Sequence, residues 1–273
     1  MNKEKLFEFL SDSPISHIAA DNIVNILSAY GFKQVEDSDI ESLCEGNYFI
    51  RRSGAVVAFK KNGASNGFMI CATHTDSPAF RVKGENIVGS YGKLDTEKYG
   101  GMILSTWLDR PLGMAGRVGI RTDSGVKFKN LILDESVVIP NVAIHLNRSV
   151  NDGYKFNPAV DMLPLCSIGA SRGELMQRVA EKLSVSVDDI VSHEIYLYAK
   201  DTPVSVGFSG ELVLSPRLDD LACVHASLMA FLLCENKSSI PVFAAFDNEE
   251  IGSNTVQGAD SLFFTDILRA LSG

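Results

Sequence analysis

The chain has 273 residues, 45% hydrophobic and 22% charged, an ordinary globular composition with enough material for one large domain or two smaller ones. A net charge of −9 and a pI near 5.1 argue against nonspecific binding to nucleic acid or an anionic membrane. No stretch approaches the roughly 20 apolar residues of a membrane span, and the charged N-terminus has no apolar leader core, so the expectation is a soluble cytoplasmic protein.

In chain order, "KEKLFEFLSDSPISHIAADNIVNILSAYGF" predicts two helices broken at Ser13-Pro14. Leu6, Phe7 and Leu10 mark the first apolar face; Ile18, Ile23, Ile26 and Leu27 mark the second. Ser13 suits an N-cap with Pro14 at the first helical position, and Gly31 a stop. Two short strands, "NYFIRR" and "AVVAFKK", follow with a Ser53-Gly54 hairpin signal between them. "GFMICATHTDSPAFRVK" reads as a buried strand, Phe68 to Ala72, that empties into a polar turn. Over 87–210, short β-like runs ("MILSTWL", "RVGIRT", "NLILD") alternate with glycine turns, then come a helix, "GELMQRVAEKL", and a strand, "HEIYLYAKD". After them "GELVLS" reads as a strand, "PRLDDLACVHASLMAFLLCEN" as a turn and long apolar helix, and "IPVFAAF" as a buried strand.

The expected fold is therefore α/β: a mostly parallel sheet flanked by helices, built from 1–86 and 211–273, with an inserted β-rich domain over 87–210. Five cysteines (Cys44, Cys71, Cys166, Cys223, Cys234) form no CxxC pair and lie mostly in apolar runs, so they read as buried free thiols of a reducing compartment.

Three polar clusters fall at expected strand ends. His74 and Asp76 follow one strand, Asp219 and Asp220 a second, and Asp247, Glu249 and Glu250 a third. Ligands of open α/β sheets bind beyond the carboxyl ends of strands, so these distant segments can converge on one rim. One histidine among several carboxylates suits Zn²⁺, Co²⁺ or Mn²⁺. Asp76 could hold the second ring nitrogen of His74, and Asp219 could bridge two cations. Of Glu249 and Glu250, one can ligate while the other remains a base for water. Each cluster alone has a plainer reading: a hydrogen-bonded turn, a helix N-cap, a solvated loop. It is their joint placement that favours a metal site.

At these residues the chain resembles the aspartyl aminopeptidase family of zinc metallopeptidases. "ATHTDSPAFRVK", "EKYGGMILSTWLDRPLGMAGRV", "SPRLDDLACVHASLMA" and "FDNEEIGSNTVQGADS" are similar to the family's blocks in order, as are the N-terminal helices and "IPNVAIHLNRSVNDG". The resemblance implies a zinc-peptidase-like fold, with 1–86 and 211–273 as catalytic domain and 87–210 as an inserted dimerisation or lid domain. It also implies two zinc ions, removal of acidic or neutral N-terminal residues from peptides, and a homo-oligomer, typically a dodecamer. By position, His74 matches the first zinc ligand, Asp76 the acid that orients it, and Asp219 the bridging aspartate. Glu249 matches the general base and Glu250 a ligand of the second zinc. His145, by pattern alone a core strand histidine, matches one that assists the scissile carbonyl, reaching an active site in a neighbouring subunit.

The family's further zinc-binding aspartate and final histidine have no counterpart: no histidine follows His225, and neither Asp260 nor Asp266 has the right context. The expectation is an N-terminal portion of such an enzyme, with a non-catalytic remnant or assembly subunit as the alternative. A glycosidase with paired carboxylates would leave His74 and Asp76 without a task. His17 and His225 read as packing or surface residues, and Lys83 and Arg110 receive no role.

Overall fold

The structure, a computed structural model, describes residues 3–64, 66–169 and 172–272. Helices α1 (Lys3–Asp12) and α2 (Ser16–Ala29) lead into β1 (Lys33–Gln34), β2 (Gly46–Arg52), β3 (Ala55–Lys61) and β4 (Phe68–His74). Then come β5 (Ala79–Val88), β6 (Tyr91–Tyr99), β7 (Leu112–Thr122), β8 (Gly125–Val137), α3 (Pro158–Asp161), β9 (Leu165–Ile168), α4 (Glu174–Leu183) and β10 (Ile190–Ala199). The chain closes with β11 (Val204–Val206), β12 (Leu212–Leu214), α5 (Leu218–Leu233), β13 (Ile240–Phe246) and α6 (Leu262–Ser272). Two compact units result, Met1–Ser77 with Thr202–Gly273, and Pro78–Asp201; each changeover comes nine residues ahead of the boundary expected from sequence.

The first unit is a three-layer α/β/α arrangement around a sheet of order β1-β2-β3-β13-β4. Strand alternation sorts its side chains. Phe243 and Ala245 of β13, with Phe49 and Val56, pack under α1, α2 and α5 against Leu10, Ile23, Leu27 and Leu228. Val242, Ala244 and Phe246 face the other way, with Ile50, Val57 and Phe59, onto Phe263, Ile267 and Leu271 of α6. Strand β13 is buried along its whole length, which is why it reads as an unbroken apolar run.

Several expectations are corrected here. The sheet is mixed rather than mostly parallel. β1–β2 and β4–β13 pair parallel, but the tight β2–β3 hairpin forces antiparallel pairing there, and β3–β13 is antiparallel too. Strand β4 is not buried. It is the sheet edge, and Met69 and Ile70 are 44% and 45% exposed. An apolar run records hydrophobicity, not which neighbours cover it. The cysteines follow suit: Cys44, Cys71 and Cys223 are exposed, and Cys166 and Cys234 half-buried. Helix α2 starts at Ser16 after a backbone cap at Ile15, whose carbonyl accepts from Ile18 and Ala19 N–H; Ser13 is buried and instead accepts from Asn22 Nδ2. The "GELVLS" strand lies outside the central sheet, in a two-stranded ribbon of β11 with β12.

The second unit is an antiparallel sheet of order β8-β7-β10-β5-β6-β9. Phe80, Leu112, Val118, Leu131, Ile195 and Leu197 form its core with Leu175 and Val179 of α4. The Glu85 carboxylate accepts from Gly173 and Leu175 N–H, both at 2.9 Å, satisfying orphan amides at the start of α4. "MILSTWL" is no strand: Leu104–Trp107 is a 3₁₀ turn that sets Trp107 edge-on to Phe80, ring centres 5.1 Å apart. No helix among the described residues is long and apolar enough to cross a membrane.

Candidate metal centre

The register of the first sheet explains why remote residues meet. β4 and β13 run parallel with His74 opposite Phe246, so both strands leave the sheet at the same end. Asp76 lies just past one exit, and the Glu249–Ile251 turn just past the other. The Asp76 carboxylate joins them: Oδ1 accepts from Glu249 N–H and Oδ2 from Glu250 N–H, both at 3.1 Å. The start of α5 supplies the third segment. Asp220 Oδ2 accepts from His74 N–H at 3.1 Å, and Ser77 Oγ donates to the Asp219 carbonyl at 3.2 Å.

His74 stands at the centre. Its Nδ1 lies 3.0 Å from the Asp76 carbonyl and 3.4 Å from Asp76 Oδ1, while Nε2 faces Asp219 Oδ1 at 3.3 Å and Glu249 Oε2 at 3.9 Å. Burial draws the imidazole pKa down. The hydrogen bond to Asp76 and the charges of Asp76, Asp220 and Glu249 together outweigh it, holding the value up at about 9. Glu250 is pushed up by burial first, then by the like charges of Asp76, Glu249 and Asp219, with His74 opposing. Cys223, beside the site, is raised to about 11, chiefly by its hydrogen bond to Asp220, then by burial and by the charges of Asp220 and Asp219.

These features test the site against a divalent cation. Both ring nitrogens of His74 face acceptors, so the surroundings favour positive charge at Nε2, where a proton and a cation compete. The donor types, imidazole and carboxylate, suit zinc. Asp219 is 90% exposed, with Oδ1 3.3 Å from His74 Nε2. The fit is in chemistry and convergence rather than in a finished shell: among the described residues no three His, Cys, Asp or Glu side chains are already grouped to hold a metal.

The sequence-derived residues thus divide. His74, Asp76, Asp219 and Glu249 come together, and Glu250 joins through its backbone bond to Asp76. His145 belongs to the second unit, in an exposed turn closed by Leu146 N–H onto the Ala143 carbonyl, and is no core strand histidine. Two features escaped the sequence reading. Asp220 holds the His74 backbone, and Asn248, at φ 65°, braces the acidic loop by accepting from Thr255 Oγ1 (2.8 Å) and Gln257 Nε2 (2.7 Å). An asparagine before paired acids is a left-handed-turn signal that could have revealed the brace.

The α/β unit thus gathers an imidazole and converging carboxylates at one sheet end, donor types that suit a divalent cation. Comparison with known proteins is specific. Residues 9–273 match the profile described as Aminopeptidase I zinc metalloprotease (M18), and the chain belongs to that family. It is 43% identical to a probable M18 family aminopeptidase 2 of Clostridium acetobutylicum over 98% of this chain and 65% of that protein. It is 31% identical to aspartyl aminopeptidase 4 of Saccharomyces cerevisiae, over 98% of this chain and 64% of the relative. Among solved structures, the cryo-EM structure of the Ape4 and Nbr1 complex superposes with a TM-score of 0.92 at 32% identity, covering 99% of this chain and 59% of that one. The chain thus spans about two thirds of the length of the relatives it matches, or slightly less.

Proposed function

We propose that this chain forms the larger part of a zinc-dependent aminopeptidase that removes N-terminal residues, acidic or neutral, from peptides. The observation that carries the reading is the meeting of His74 Nε2, Asp219 Oδ1 and Glu249 Oε2 where β4 and β13 leave the sheet. His74, Asp219 and Glu250 would hold the metal. Zinc, once bound there, would supply Lewis acidity to the peptide carbonyl and make water a better nucleophile; Co²⁺ or Mn²⁺ could do the same.

The chain's own residues have distinct tasks. Asp76 fixes the His74 ring through Nδ1, so that Nε2 points at Asp219, and holds the amides of Glu249 and Glu250 with the same carboxylate. Glu249, 55% exposed with Oε2 3.9 Å from His74 Nε2, takes the proton of the attacking water and delivers it to the leaving amine. His145 donates to the developing oxyanion, in this reading from a neighbouring subunit of a homo-oligomer such as a dodecamer. Five cysteines, none paired among the described residues, suit a reducing compartment such as the cytoplasm.

Glu249→Gln is expected to abolish release of N-terminal residues while zinc content stays near that of the parent. Loss of both together would contradict Glu249 as the base. A second reading is a non-catalytic subunit, with the β4 edge, where Met69 and Ile70 are exposed, as its contact surface. Stoichiometric zinc with turnover by this chain would reject it.

A further inference from the structure

Ser53 and Gly54 join β2 to β3, yet the positive φ of that turn, 56°, falls on Ser53. Gly54 lies outside the left-handed region, so turn geometry does not require glycine there. Packing does. A Cβ on Gly54 would stand 2.7 Å from Asp247 Cγ and 2.9 Å from Ser16 Oγ, and would overlap Asp247 Oδ2 outright.

Asp247 is the first residue beyond β13 and is 1% exposed, so its short side chain has little room to move aside. Its Oδ1 accepts from Asn248 N–H at 2.9 Å, at the root of the turn that carries Glu249 and Glu250. The Gly54 carbonyl is itself fixed: Thr75 Oγ1 lies 2.8 Å from it and 3.0 Å from the Phe246 carbonyl. The acidic turn is therefore held at its amides by Asp76, through the Asn248 side chain by Thr255 and Gln257, and at its root by Asp247 in the space that Gly54 leaves beside the first residue of α2.

We propose that Gly54 and Asp247 form a positioning lock that aims Glu249 and Glu250, Gly54 by leaving the space and Asp247 by filling it. Neither touches substrate. The lock rests on the reading of Glu249 and Glu250 as parts of a metal-dependent peptidase centre, and it has a consequence independent of metal. Adding one methyl at Gly54 displaces the Asp247 carboxylate, breaks its bond to Asn248, and frees the turn while α2 stays folded.

The test is Gly54→Ala, with Ile267→Val, a buried α6 position on the opposite sheet face, as a control for general destabilisation. Two quantities are read: hydrogen exchange of the Glu249 and Glu250 amides against those of α2, and Co²⁺ affinity by visible absorption. In Gly54→Ala the two turn amides should exchange at least tenfold faster relative to α2, and Co²⁺ affinity should fall at least tenfold; Ile267→Val should do neither. Unchanged turn amides, or loss of protection in step with α2, would overturn the lock. A parent protein that takes up no Co²⁺ would count against the metal reading, and the exchange result would still decide the lock. Should Gly54→Ala fail to fold, Asp247→Ala, which empties the space and removes the acceptor of the Asn248 N–H, is read by the same two measurements and the same criteria.

Discussion

Removing the Asp76 carboxylate should loosen the acidic turn by an amount the structure fixes. Asp76 is buried and accepts the Glu249 and Glu250 amides, both at 3.1 Å. A hydrogen bond to an ionised acceptor contributes about 1.5–3 kcal/mol, so Asp76→Ala should lower the local opening free energy by about 3–4 kcal/mol once water replaces part of the loss. At about 1.4 kcal/mol per tenfold, those two amides should exchange roughly 10²–10³ times faster by NMR-detected hydrogen exchange. Asp76→Asn keeps one accepting oxygen and should fall between, about tenfold. Amides deep in β13, such as that of Phe243, should be unaffected in both variants. Exchange of Glu249 and Glu250 within about threefold of the parent in Asp76→Ala would refute the reasoning, because the carboxylate would then not be what holds the turn.

Other consequences are equally direct. Phe243→Ala, in the fully buried core beneath α5, should destabilise the first unit by about 3–5 kcal/mol in urea unfolding. Ile70→Lys on the open β4 edge should reduce self-association of this chain in light scattering, with little change in far-UV circular dichroism. His193 is held below its ordinary pKa, first by burial and then by the Arg81 charge, and its Nδ1 has no hydrogen-bond partner among the described residues. The unfolded chain therefore takes up the His193 proton first as pH falls through about 6.5, and stability declines until the folded form is protonated too. His193→Gln should remove that part of the decline between pH 7.5 and 5, read by urea unfolding at the two pH values.

Much of the site was visible in the sequence because strand ends announce themselves. "FMICATHTD" and "PVFAAFDNEE" each switch from apolar to acidic within a few residues, and the switch places His74 and the acid pair at the sheet rim without any knowledge of pairing. What could not be seen depends on neighbours. The apolar run of β4 looks like that of β13, yet one is an edge and the other a centre, and only strand order separates them. The exposed Cys71 and Cys223 follow from the same fact, since they lie on β4 and on α5 beside the site. "GELVLS" has strand composition but pairs with β11 outside the central sheet, so Asp219 is placed by the start of α5 rather than by that sheet. Ser13 has the chemistry of a cap and spends it on Asn22 instead. Gly54 read as a turn glycine, whereas its reason lies nearly two hundred residues away, at Asp247.

The peptidase reading depends on a cation held by three separate segments around His74. Zinc K-edge absorption on the zinc-loaded chain tests that directly, with His74→Ala as reference. One nitrogen scatterer with imidazole outer-shell features and the rest oxygen, at about 2.0–2.2 Å, is expected, together with loss of the bound zinc in the variant. Sulfur scatterers at about 2.3 Å, pointing to Cys71 and Cys223, or equal zinc in parent and variant, would contradict it.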